Sequence, residues 1–394
     1  MRLLLVAVLF LPRQDPKGEV IAIVGARILT ISKGDLARGV ILIKNGKITE
    51  VASDAKIPDG ATVIDGKGLV AMPGLVNPYS RITGGSGGTS QGSNPQVLAY
   101  DDLNPAADIL KQLPRTGYTA IALYPTAGVT SGQAVAIKPV GNSREAMVLL
   151  KSCYLRFNME ATTTTKQQLR TDFETARKLL DGDKKAPTPA PSTPPPSTPA
   201  PAPTPAKPDE RTEPLLRFLK GELDGIVDVR SAGEILHFLQ VWKAFEGTKA
   251  QLALTVPLDS YKAAQALGER KATVIIRPEM TYVPFSRTLV NPAAELSKAG
   301  VTIVIAPSGD SLQSHEQVFF KVAELVKHGL DRGVALKALT LNGAALMGLE
   351  GRVGSLDVGK DADILLFDGD PLDPTSRLRL TMIDGKVLLD SRTP

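Results

Sequence analysis

The sequence predicts a (β/α)8 (TIM) barrel carrying a small composite β-sandwich built from the N- and C-terminal segments. Three observations carry that prediction. Strand-like and helix-like runs alternate through the middle of the 394-residue chain; β-branched runs separated by turn residues fill both ends; and a single proline-rich tract interrupts the alternation. Alternating β and α units call for right-handed crossovers and a parallel sheet. Seven or eight such units close into a barrel.

The elements follow in order. Met1-Arg2 leads into an apolar run at 3–11 that ends at Pro12. A positive start and a short apolar stretch read as an export segment over 1–16, the run being too short to span a bilayer. No A-x-A-like cleavage site follows, and the alternative is a frayed N-terminal strand. Runs at 20–31, 40–43, 47–51 and 61–64 are punctuated by Lys33-Gly34-Asp35, Asn45-Gly46 and Asp59-Gly60, the signature of antiparallel hairpins. The C-terminus repeats the pattern at 363–367, 380–383 and 386–389, with turns at Asp368-Gly369 and Asp384-Gly385. The composite β-sandwich is therefore assigned to 17–70 and 349–394, and the barrel to 71–348.

Within the barrel, strand-like runs lie at 69–76, 119–124, 134–138, 225–229, 251–256, 272–276 and 301–306. Helix-like runs lie at 105–113, 166–180, 232–245, 258–268 and 313–327. The tract at 184–214, rich in Pro, Thr and Ala, holds twelve of the 30 prolines from Pro187 to Pro214. With no apolar face and few backbone donors it reads as a disordered, solvated linker looping out of the barrel, with a proline-rich partner ligand as the alternative.

Composition excludes several classes. A 43% hydrophobic and 22% charged chain is neither wholly disordered nor a multi-span membrane protein. The net charge of +5 comes without a basic block interleaved with aromatics, so no nucleic-acid partner is expected. Cys153 is the lone cysteine, which excludes an intrachain disulfide and a Cys-rich zinc site.

Three segments resemble the amidohydrolase superfamily, most closely its imidazolonepropionase-like branch. Val63-Ile64-Asp65-Gly66-Lys67-Gly68-Leu69-Val70-Ala71-Met72-Pro73-Gly74-Leu75-Val76 is similar to the family's lead into barrel strand 1. Leu339-Thr340-Leu341-Asn342-Gly343-Ala344-Ala345 resembles its last barrel helix. Gly354-Ser355-Leu356-Asp357-Val358-Gly359-Lys360-Asp361-Ala362-Asp363-Ile364 resembles the return into the terminal β domain. The resemblance implies hydrolysis of C–N bonds other than peptide bonds, on cyclic-amide or imidazolone-like substrates. It also implies a divalent metal, zinc or similar, that activates water at the C-terminal ends of the barrel strands. The implied ligands are His-x-His after strand 1, a carboxylated Lys or a Glu on strand 4, His on strands 5 and 6, and Asp on strand 8.

Position by position, most of that set is absent. The His-x-His places hold Tyr79-Ser80-Arg81, the strand-4 segment holds Leu155-Arg156-Phe157, and the strand-5 end reads Asp228-Val229-Arg230. A fixed cation where a metal's ligand should stand is hostile to the metal. Asp310 matches the strand-8 acid, and a proton-accepting role there is what the resemblance implies. Among the three histidines, His237 and His328 fall on helices, and His315, five residues after Asp310, is the relic ligand or acid/base candidate. No cofactor is therefore expected, and a degenerate, catalytically impaired enzyme is the reading.

Other features admit other roles. Arg81, Arg156, Arg230 and Arg277, with Asp228, form a basic cluster that either binds an acidic small molecule or fills the hole left by lost metals. The Gly/Ser-rich stretch 83–95 is an anion cradle or a rim loop. A third scheme pairs Asp310 with Ser80 or Tyr79 in metal-free chemistry. The partners expected are a small molecule, a second copy of the chain, or a paralogous amidohydrolase for which this chain is a non-catalytic subunit.

Overall fold

The computed structural model describes residues 20–83, 92–184 and 209–392. The export-type segment, the centre of the Gly/Ser stretch and nearly all of the proline-rich linker lie outside the described residues. Among the described residues, no helix is long and apolar enough to cross a membrane.

The N-terminal strands are β1 (Val20–Leu29), β2 (Asp35–Lys44), β3 (Lys47–Ala52), β4 (Thr62–Asp65) and β5 (Val70–Pro73). Asn45 and Gly46 hold φ of 52° and 75°, the pair of left-handed residues that folds β2 tightly onto β3. Next come β6 (Leu75–Ser80), β7 (Tyr118–Leu123), β8 (Thr130–Ile137), β9 (Val148–Asn158), β10 (Asp224–Asp228), β11 (Leu252–Thr255) and β12 (Thr273–Ile276). A short hairpin of β13 (Thr281–Tyr282) and β14 (Leu289–Val290) precedes β15 (Thr302–Ile305). The chain ends in β16 (Ile364–Phe367), β17 (Leu378–Ile383) and β18 (Lys386–Asp390).

Strands from both ends share one eight-stranded sheet, ordered β18-β17-β16-β5-β1-β2-β3 with β4 on β1. Strand pairing thus joins the two all-β ends in a single sheet rather than in two separately hydrogen-bonded layers. A second eight-stranded sheet, β15-β12-β11-β10-β9-β8-β7-β6, is the barrel.

Two expectations are corrected here. The run at 69–76 is not one strand: it breaks at Gly74, leaving β5 in the terminal sheet and β6 in the barrel. The barrel is also not all-parallel, because β8 runs antiparallel to both β7 and β9. Only residues 124–129 connect β7 to β8, far too few for a crossover, so the chain must turn back as a hairpin. β9, which the strand-like runs missed, follows as the next arm of that meander.

No ladder joins β15 to β6 among the described residues. The helix Leu341–Leu346 packs over that seam: Asn342 Nδ2 donates to Ile303 O of β15 at 2.8 Å, and a Cβ on Gly343 would lie 3.1 Å from Val76 O of β6. The barrel interior is packed by inward residues of every strand, from Val76, Ala120 and Ala134 through Tyr154 and Ile226 to Ile275 and Val304.

Gly74 is the crossing point between the sheets, and its backbone N–H donates to Asp363 O at 3.0 Å. A Cβ there would fall 2.0 Å from Thr119 Oγ1 and 2.3 Å from its methyl group, both buried. Gly74→Ala is therefore expected to cost about 1–3 kcal/mol through overpacking. A lower urea midpoint at unchanged m would show this, whereas a wild-type midpoint would mean that Thr119 turns aside freely.

Candidate functional site

Side chains two apart on a strand share a face, so the inward residues of the barrel predict what stands above them at its mouth. Arg156 follows Tyr154 on β9, Asp228 follows Ile226 on β10, and Thr255 follows Ala253 on β11. The top layer of the barrel is thus polar where the layer beneath is apolar.

Arg156 occupies the middle of that layer, its side chain only 6% exposed. Its Nε donates to Tyr79 Oη at 2.9 Å, Nη1 to Ser131 Oγ at 2.9 Å and Nη2 to Asp228 Oδ2 at 3.0 Å. Thr255 Oγ1 donates to the other Asp228 oxygen. The guanidinium lies 4.7 Å from the centre of the Tyr124 ring, which stacks on Tyr79 at 4.0 Å. Burial works against the charge on Arg156, but Tyr79 and Asp228 outweigh it and raise its pKa. Burial likewise pushes the Tyr79 and Tyr124 hydroxyls up, keeping both neutral. One planar cation therefore ties together the ends of β6, β8, β9 and β10.

A cavity of about 420 Å³ opens beside this layer, lined by Tyr79, Tyr124, Asp228, Arg230, Arg277, Glu279 and Asp310 among others. Arg230 stands on its rim, with Nη1 3.3 Å from Glu160 Oε1 and its side chain 67% exposed. Glu279 pairs with Lys321 at 3.4 Å. Asp310 Oδ1 accepts from Ser80 Oγ at 3.0 Å and from the Arg81 N–H at 2.7 Å. Asp310 thus clips the loop after β15 to the end of β6, across the seam that no ladder closes.

The structure separates the sequence-predicted residues. Tyr79, Asp228, Arg230 and Asp310 line one cavity, and Arg156 is bonded to two of its lining residues, Tyr79 and Asp228. Arg81 is half-exposed and borders a small neighbouring depression instead. Ser80 is fully buried, accepting from the Ile82 N–H at 3.1 Å as well as donating to Asp310, so its hydroxyl is out of a ligand's reach. His315 departs from its expected place at the mouth. It is fully buried in the helix Leu312–Glu316, with Nδ1 2.9 Å from Ser311 O, Nε2 3.3 Å from Asn77 Nδ2, and its ring edge-on to Tyr118 at 4.9 Å. The carbonyl fixes the proton on Nδ1 and Asn77 donates to Nε2, leaving no free nitrogen. Burial lowers its pKa further and keeps the ring neutral. Sequence reasoning missed Tyr124, Thr255 and Ser131. Each sits at a strand end, which was the available signal.

The donor set does not suit a divalent metal. The positions that the resemblance assigns to ligands present a phenol, two guanidiniums and two carboxylates, Asp228 already shared by Arg156 and Thr255 and Asp310 already accepting from Ser80 and the Arg81 N–H. Among the described residues, no group of three or more His, Cys, Asp or Glu side chains comes together to hold an ion.

The family model described as "Amidohydrolase family" matches residues 218–388. Among curated relatives, imidazolonepropionase of Syntrophobacter fumaroxidans is 35% identical over 107 residues, 27% of this chain and 25% of that protein. The 5'-deoxyadenosine deaminase of Methanosarcina acetivorans is 45% identical over 62 residues, 15% of this chain and 14% of that protein. The alignments thus span a quarter or less of these relatives' length. In solved structures, an amidohydrolase from Thermotoga maritima MSB8 superposes with a TM-score of 0.77 at 22% identity, covering 94% of this chain and 100% of that one. An atrazine chlorohydrolase from Arthrobacter aurescens TC1, complexed with zinc, reaches 0.53 at 16% identity over 95% and 96%. These likenesses establish the fold.

Proposed function

We propose that this chain is a degenerate amidohydrolase that binds a small molecule at the barrel mouth without the superfamily's metal centre. Its fold is that of enzymes hydrolysing non-peptide C–N bonds, the chemistry that the names of its relatives indicate. The observation that carries the reading is Arg156. A buried guanidinium, bonded to the side chains at the first His-x-His place and at the strand-5 end, occupies with fixed charge the point where a metal's ligands would converge. A cation cannot bind next to it without displacing those bonds. What remains is a pre-formed cavity within the size range of small-molecule sites. The same barrel face also suits a non-catalytic subunit paired with an active paralogue or with a second copy.

A retained hydrolase is the second reading, favoured by Asp310, which keeps the strand-8 position. Metal content decides between them. Protein purified without chelator and challenged with zinc and manganese is expected to hold less than about a tenth of an equivalent per chain at pH 7. Near-stoichiometric metal that disappears in Asp310→Ala would overturn the metal-free reading and justify assays on amides and lactams.

A further inference from the structure

The charges around the cavity do not cancel, and the remainder sits on one side chain. Among the charged residues lining it, Asp228 is paired with Arg156, Asp310 with the Arg81 guanidinium at 3.9 Å, Glu279 with Lys321, and Arg230 with Glu160. Arg277, at the C-terminal end of β12, is exposed and has no side-chain hydrogen bond or ion pair among the described residues. The cavity thus presents an unspent planar donor fork at one place. Its wall also carries apolar surface, from Val256 and Leu258 and from the stacked Tyr79 and Tyr124 rings.

We infer that the mouth takes a small organic monoanion, a carboxylate with an apolar or aromatic body of the size of an acylated amino acid, its carboxylate on Arg277. The inference rests on the ligand-binding reading above and specifies the class of ligand. A guanidinium fork matches the two oxygens of a carboxylate in two parallel hydrogen bonds, while a neutral primary amide has a single acceptor atom and presents an NH2 where Arg277 offers no acceptor. A dianion would meet Asp228 and Asp310 on the same wall and be disfavoured.

Calorimetric titration with benzoylglycine and N-acetylleucine, each beside its neutral primary amide, tests this at one ionic strength. An acid is expected to bind at least about tenfold more tightly than its amide, and Arg277→Met to erase that difference, as loss of a charged hydrogen bond implies. Arg277→Lys should keep part of it. Equal affinity for acid and amide, or acid binding unchanged in Arg277→Met, would overturn the anion assignment while leaving a ligand-binding mouth in place. Binding of neither acid below millimolar would overturn the assignment as well. Failure of the metal-free reading shows separately, in the zinc content.

Discussion

Lys138→Met is expected to destabilise the protein by about 3–5 kcal/mol, the usual cost of removing one partner from a buried ionic group. Lys138 follows β8 of the barrel, and its side chain is 4% exposed. It lies 2.8 Å from Asp361, 2.9 Å from Asp363 and 2.5 Å from Asp384. Those carboxylates belong to the approach to β16 and to the β17–β18 turn, so one side chain fastens the barrel to the terminal sheet. Asp361 keeps Lys47 and Arg352, but among the described residues Asp363 has no other cation, and its buried Oδ2 has no hydrogen bond there. Burial, opposed by Lys138, pushes the Asp363 carboxyl up to about 6. Between about pH 4, where an unfolded Asp titrates, and pH 6, the native state holds a proton that the unfolded chain has released. Stability from this group therefore falls as pH rises through that window. Asp361 works in the opposite sense, since its lowered pKa contributes stability that is lost only in stronger acid. Urea midpoints at pH 5 and pH 7.5 should show Asp363→Asn with a flatter pH response than wild type. Parallel responses would rule out the proton on Asp363, and a Lys138→Met cost under about 1 kcal/mol would reduce the cluster to surface-like pairs.

Much of this architecture is written in local pattern. The turns at Asn45-Gly46 and Asp384-Gly385 require left-handed backbone and so announce their hairpins, and the apolar runs of β10, β11, β12 and β15 announce buried parallel strands. The reversal at β8 was also encoded, in a connector too short for a crossover, but alternation of strand and helix elsewhere masked it. The site was legible only in part, for a physical reason. Period two places Arg156 and Asp228 at strand ends, yet their bond joins residues 72 apart in sequence, and nothing local specifies it. His315 misled because proximity to Asp310 along the chain says nothing of which face of the intervening helix turns inward. Burial against Tyr118, together with the bond from Asn77, decides its role.

Arg156→Met is expected to cost about 3 kcal/mol or more, because it leaves Asp228 facing the barrel layer with Thr255 as its remaining partner. The loss should be shared rather than additive. If the guanidinium exists chiefly to balance that carboxylate, Asp228→Asn in the Arg156→Met background removes the uncompensated charge and restores part of the stability. A double-mutant cycle would then give a coupling of about 1–3 kcal/mol between positions whose side chains touch. A coupling near zero would mean that Arg156 acts through Tyr79 and Ser131 alone, as a packing piece. The same variant tests the electrostatic argument for the mouth. With the fixed cation gone and Asp228 kept, a divalent ion meets net attraction in place of repulsion, so zinc retained per chain should rise above wild type. If Arg156→Met holds no more zinc than wild type even under zinc challenge, charge alone does not keep metal out. The phenol and guanidinium at the Tyr79 and Arg81 positions then exclude it for want of ligands. Either result separates two ways in which such a mouth can refuse a metal, by holding a cation in it or by lacking donors.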